Sequence, residues 1–223
     1  RLIGIFALGG LQGAMGWYMV ASGLVDDPNV SQYRLTAHLG IAFLIFGAIT
    51  WTTLSILYPS RANLSPPVRN MYKFSMIVNG VIFLMVLSGG FVAGLRAGLI
   101  YNTFPLMGDN FIPPDLFVLT PLWSNFFENM ITVQFDHRII AYILALLIPI
   151  FWFRLRRRDV LSRTKKLSSL LLGLLVIQMT LGVSTLMLHV PTALGVAHQA
   201  VGSLLFITSL AVTQSIASRR GMI

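Results

Sequence analysis

Residues 130–158 read MITVQFDHRIIAYILALLIPIFWFRLRRR. The run from 130 to 153 is almost wholly apolar, and it ends in a cluster of arginines. A helix needs roughly 20 apolar residues to cross a bilayer core, so this stretch is long enough to span one. Working outward, five more runs of the same kind lie at about 3–22, 35–58, 72–95, 168–188 and 193–217, with the charges between them. Inside lipid every backbone amide must find its partner within the segment, which leaves helices. The alternation of a membrane barrel is absent. The expectation is an all-α integral membrane protein with six transmembrane helices in the chain shown.

Composition agrees. Of 223 residues, 56% are hydrophobic and 10% charged, and the mean hydropathy is +0.78. A soluble domain carries about 25% charged residues, so that class is excluded. Neither a secretory signal peptide nor a separate soluble domain is recognisable. With no cysteine, the residues shown hold no disulfide, thiolate metal site or cysteine nucleophile.

The net charge of +9 is a topology signal. Arg1, Arg61, Arg69, Lys73, Arg154, Arg156, Arg157, Arg158, Arg163, Lys165, Lys166, Arg219 and Arg220 fall on one side of the six spans. Arg34, Arg96 and Arg138 fall on the other, with six of the seven acids. The positive-inside rule makes the first side cytoplasmic or matrix. A nucleic-acid partner is not expected, because RLRRRDVLSRTKK sits between two spans. The longest connection, about 96 to 130, is outer, and is rich in Pro, Asn and aromatics. It is too apolar for a free linker and is expected to lie on the membrane surface as a lid, or as a plain interfacial loop.

The chain contains a repeat. LQGAMGWYMVASGL in the first span and VIQMTLGVSTLML in the fifth align Gln12 and Gly16 with Gln178 and Gly182. The next span in each case carries an Ala-His pair, TAHLG with His38 and VAHQAVG with His198. Both pairs run in the same direction through the membrane, as in parallel transporter repeats. In the second half two spans precede the Gln/Gly span, the second with Phe135-Asp136-His137-Arg138. We therefore expect two helices upstream of Arg1, the second bearing a histidine. The total would be eight spans in two pseudosymmetric four-helix bundles. Residues 1–70 would complete the N-terminal bundle and 71–223 would form the C-terminal one.

The four histidines, His38, His137, His189 and His198, all lie on the outer side. Ionisable groups inside a membrane are costly and usually functional, and imidazole is a common ligand of metals and heme iron. His137 and His198 lie on antiparallel spans, each about five to seven residues from the outer end, or roughly 8–10 Å deep. Such a pair can clamp a heme in a bundle. His38 has the same depth and would pair with the histidine inferred upstream. The alternative for each is a neutral histidine bonded to a neighbouring helix. His189, just before Pro191, reads as interfacial. Zinc fits poorly, since the histidines lack i, i+4 spacing and only Asp136 adjoins one. Arg138 and Arg34 are the outer arginines nearest these histidines. Each is either a partner of a heme propionate or a headgroup-seeking side chain. Gly90, Gly94 and Gly98 form a stripe that suits helix packing better than porphyrin contact, and Gly9 and Gly13 repeat the pattern.

The segments GWYMVASGL, VSQYRLTAHLG, GGFVAGLRAGLIYNTFPLMG, VQFDHRI and LGVSTLMLHVPTALGVAHQAVGSLLF resemble heme A synthase, in its mitochondrial and proteobacterial branch. The likeness covers nearly the whole chain, and NTFPLMG and QFDHR are specific. It implies eight spans in two bundles, and oxidation of the C8 methyl of heme O to a formyl group, giving heme A for cytochrome oxidase. It also implies a heme b whose iron is held by His137 and His198, and a substrate heme on His38. A Glu-x-x-His-Arg motif would lie upstream of Arg1, and its glutamate is implied in the chemistry. Its C-terminal counterpart has Gln134, which cannot act as acid or base. The implied partners are heme O, heme O synthase, cytochrome oxidase assembly factors, an electron donor and membrane lipid, with a homo-oligomer left open. The implied location is the bacterial plasma (inner) membrane or the mitochondrial inner membrane, and the short loops favour the bacterial one. A membrane b-type cytochrome that moves electrons without substrate chemistry would use the same histidines. A transporter is disfavoured by the lack of paired internal charges and broken helices.

Overall fold

Six long helices carry the chain, described in the computed structural model for residues 1–21, 30–59 and 64–218. They are α1 Leu2–Ala21, α2 Gln32–Leu57, α3 Pro66–Gly94, α5 Met130–Arg156, α6 Ser162–Met187 and α7 Thr192–Ala217, with a short α4 at Asn125–Glu128. All six long helices are apolar and long enough to cross a membrane. Among the described residues there is no strand, and Met107 and Asn110 form an isolated bridge.

Each helix matches its expected run to within a residue at its C-terminal end, apart from α5, which runs on to Arg156, and some begin earlier. α3 starts at Pro66, whose ring suits a first helical turn, and α6 starts at Ser162 and takes in Arg163, Lys165 and Lys166. Hydropathy marks the hydrocarbon layer, and the helix continues beyond it into the headgroups.

α3, α5, α6 and α7 close a ring, each packed on the next and α7 back on α3. α2 packs outside it on α3 and α7, and α1 packs on α2. The apolar core of the ring lies towards its basic end. Val78, Ile82, Ile148, Phe151, Leu155, Leu171 and Val212 are almost wholly enclosed there. In lipid there is little hydrophobic drive between helices, so polar contacts help to set the register. Asn79 Nδ2 donates to Thr213 Oγ1 at 2.9 Å, Ser209 donates to Asn79, and Thr164 Oγ1 meets Ser215 Oγ at 2.7 Å. Gln214 Nε2 donates to the Leu54 carbonyl at 3.0 Å, tying α7 to the end of α2. Arg163 stacks 3.4 Å over the Tyr58 ring at this same end. Arg61, Arg219, Arg220, Asp26 and Asp27 of the charge pattern lie outside the described residues.

The other half of the ring is different. No residue of α6 beyond Leu175, and none of α7 before Leu205, is buried. All three histidines expected to be ligands lie at this looser end.

The connection after α3 forms a cap over that end. Asn102 Nδ2 donates to the carbonyls of Gly98 (2.9 Å) and Leu186 (2.7 Å). Asn125, fully buried, donates to the carbonyls of Leu119 and Leu122 and accepts from the Leu119 amide. Asn129 donates to the Asp115 carbonyl at 2.8 Å and accepts from Ile131, closing the start of α5. Phe111, Ile112 and Trp123 project outward from this cap, each more than half exposed.

The glycine stripe serves helix packing. A Cβ on Gly90 would stand 2.7 Å from Thr36 Oγ1, one on Gly94 2.5 Å from the Gln32 Cα, and one on Gly98 3.1 Å from Val190. Gly9 and Gly13 face open space among the described residues.

Candidate functional site: three histidines in two kinds of setting

His137, His198 and His38 stand seven, six and six residues inside their helices, about 9–10 Å from the ends at 1.5 Å per residue. α5 and α7 are opposite members of the ring, which sets His137 and His198 on facing sides of it. Each ring lies over a glycine. The His137 Cε1 would be 3.4 Å from a Cβ on Gly89, the His198 Cε1 3.0 Å from one on Gly182, and the His38 Cε1 3.3 Å from one on Gly16.

The nitrogen partners separate the three. His137 Nδ1 lies 2.8 Å from Ser88 Oγ, which also reaches the Met85 carbonyl at 2.9 Å. With the hydroxyl proton on that carbonyl, the oxygen accepts from His137 and the ring proton sits on Nδ1. Nε2 keeps its lone pair, with no hydrogen bond among the described residues. An imidazole in that form can coordinate a metal through Nε2, with Ser88 fixing its tautomer.

His198 and His38 are held the other way round. The amide nitrogen of Gln178 is 3.2 Å from His198 Nε2, and that of Gln12 is 3.1 Å from His38 Nε2. In both pairs the histidine Nδ1 and the glutamine Oε1 are buried without a partner. Native structures rarely leave buried polar atoms unpaired, so four such atoms in two equivalent places mark sites built around something else. Imidazoles lying over glycines are residues that would hold a heme iron.

The arginines are placed unequally. Arg138, one turn from Gln134, is buried and turns its guanidinium to the cap. Nη1 donates to the Leu106 carbonyl at 3.1 Å and Nη2 to the Tyr101 carbonyl at 3.0 Å, while Nε is buried without a partner. Gln134 Nε2 also donates to the Tyr101 carbonyl, at 3.1 Å. Arg34 lies 5.0 Å over the Tyr18 ring, beside the Gln12–His38 pair on the same two helices. His189, two residues beyond α6, has positive φ and is followed by Val190 in the same conformation. Among the described residues no three His, Cys, Asp or Glu side chains gather as a metal cluster.

Residues 1–210 match the COX15-CtaA family, described as cytochrome oxidase assembly protein. The chain belongs to that family. Among COX15-CtaA relatives, heme A synthase of Nitrosospira multiformis is 55% identical over 217 residues, covering 97% of this chain and 61% of that protein. Heme A synthase of Nitrosomonas eutropha is 51% identical, again over 97% and 61%. Human heme A synthase COX15 is 45% identical over 215 residues, 93% of this chain and 52% of that protein. The chain thus spans about three fifths of the length of its bacterial relatives in the family.

Sequence reasoning overlooked Ser88 and Gly89. Their signal was a hydroxyl beside a glycine pair inside an otherwise apolar span. It used Gln12 and Gln178 as markers of a repeat without seeing that they bind the histidines.

Proposed function

We propose that the whole protein is a heme A synthase, oxidising the C8 methyl of heme O to a formyl group to supply heme A for cytochrome oxidase. In this reading residues 71–223 form the bundle that holds heme b, its iron between His137 and His198. Residues 1–70 belong to the bundle that holds heme O, with His38 as a ligand. The observation that carries the reading is the double occurrence of one arrangement, Gln12–Gly16–His38 and Gln178–Gly182–His198, at matched depth. Two equivalent heme sites suit a protein in which one heme is a resident cofactor and the other is a substrate.

The bound iron supplies the redox chemistry that oxidation of a methyl C–H bond needs and that side chains lack. The protein's part is to bind and orient. Ser88 holds the proton on His137 Nδ1 and aims Nε2 inward. Gly16, Gly89 and Gly182 keep the space beside each imidazole free of side chains. Gln134 and Arg138 tie the cap down over the site, which limits water there. Arg138, through its unpartnered Nε, and Arg34 are the candidate partners of propionates at the outer end. The membrane is the bacterial plasma membrane in this reading, as for the bacterial relatives, with the mitochondrial inner membrane as the alternative. Electrons come from a separate donor.

Chromatography of hemes from cells making the whole protein together with a heme O synthase tests this. A heme A peak that disappears with His38→Ala is the expected result. Heme B and heme O alone, with heme still bound, would instead make the protein an electron-transfer cytochrome.

A further inference from the structure

We infer that Gln178 and Gln12 are ligand latches. Each amide holds the Nε2 lone pair of its histidine and yields it when iron binds, so His198 and His38 are exchangeable ligands and His137 is a preformed one. This rests on the heme-ligand reading of those histidines.

An amide nitrogen can only donate, so at 3.2 Å and 3.1 Å it engages the Nε2 lone pair of His198 and His38. Iron would take the same lone pair. A ring nitrogen has one, so the amide and the metal exclude each other. The exchange is balanced: a coordinate bond from Nε2 to iron forms, the N–H···Nε2 hydrogen bond breaks, and no proton or electron moves. The ring proton is already on Nδ1, where an Nε2-bound imidazole carries it.

The pairing is also only half made. Nδ1 and the glutamine Oε1 are buried and unpartnered in both copies, on two helix pairs far apart in sequence. A bond kept for stability alone would be expected to satisfy its remaining atoms. The Gln178 amide lies over Gly202, where a Cβ would stand 3.2 Å from its nitrogen. His137 shows the contrast: its Nδ1 lies at Ser88 Oγ, and its Nε2 has no hydrogen bond among the described residues. Heme capture therefore begins at His137 and is completed when His198 releases Gln178. At His38 the same latch suits a site that must take up one heme and give up another, because Gln12 recaptures the lone pair as the heme leaves.

The test is stopped-flow mixing of hemin with heme-free whole protein in nanodiscs, following the high-spin to low-spin change as the second histidine binds. Gln178→Leu removes the donor, and this second phase should quicken about fivefold, the ratio that corresponds to one net hydrogen bond of about 1 kcal/mol. Gln178→Glu should slow it. A carboxylate draws the ring proton to Nε2, and a carboxylic acid is a stronger donor than the amide. The first phase, at His137, should stay the same in both and reports that the variants are folded. Two variants that shift the second phase in the same direction, or leave it unchanged, would overturn the latch. His198→Ala must abolish the low-spin product. A low-spin product that survives it would remove the ligand assignment itself, and the latch with it.

Discussion

Ser88 Oγ lies 2.8 Å from His137 Nδ1 and 2.9 Å from the Met85 carbonyl, so one hydroxyl on α3 is placed to set the tautomer of a histidine on α5. Hydrogen bonds to the far nitrogen of a ligating imidazole typically change metal affinity 10–100-fold. Ser88→Ala should therefore weaken heme retention by about that factor without unfolding the bundle. Heme transfer to an apo-globin acceptor measures it. Retention equal to wild type would show that Ser88 does not govern the ligand.

His137 and His38 should separate cleanly. His137→Ala should abolish the b-type spectrum of the purified protein, because His198 alone would be left to hold the iron at that site. His38→Ala should leave that spectrum intact and remove heme A from extracts. A b-type spectrum that survives His137→Ala would refute its ligand role.

Arg138 and Gln134 hold the cap through the Tyr101 and Leu106 carbonyls. Hydrogen bonds from a charged group are each worth about 1.5–3 kcal/mol net. Arg138→Leu removes two of them, and residues 101–110 should exchange their amide hydrogens more than tenfold faster, while α6 and α7 at the basic end stay protected. Hydrogen–deuterium exchange by mass spectrometry reads both segments in one experiment.

Gly94→Ala places a methyl 2.5 Å from the Gln32 Cα, a clash with backbone that cannot rotate away. Overpacking of this kind costs about 1–3 kcal/mol, so the melting temperature should fall by several degrees. Gly80→Ala, with nothing within 4 Å of its Cβ, should not lower it. Thermal melting in detergent compares the two, and equal melting temperatures would contradict the packing role of the stripe.

The number and approximate limits of the spans were legible in the sequence, because crossing a bilayer imposes a length and a composition that few other segments share. Three histidines at matched depth were legible for the same reason, since helix rise turns residue count into distance. The Gln12–His38 and Gln178–His198 equivalence was visible as spacing, though not as contact. Only the tertiary structure decided which nitrogen of each histidine is engaged, that Ser88 and Gly89 belong to the site, and that Arg138 is turned to the cap. Those outcomes depend on which helix faces meet, and in a chain apolar on nearly every face hydropathy carries little information about helix rotation. Small residues and single polar contacts set that rotation, and they become readable only when the helices are side by side.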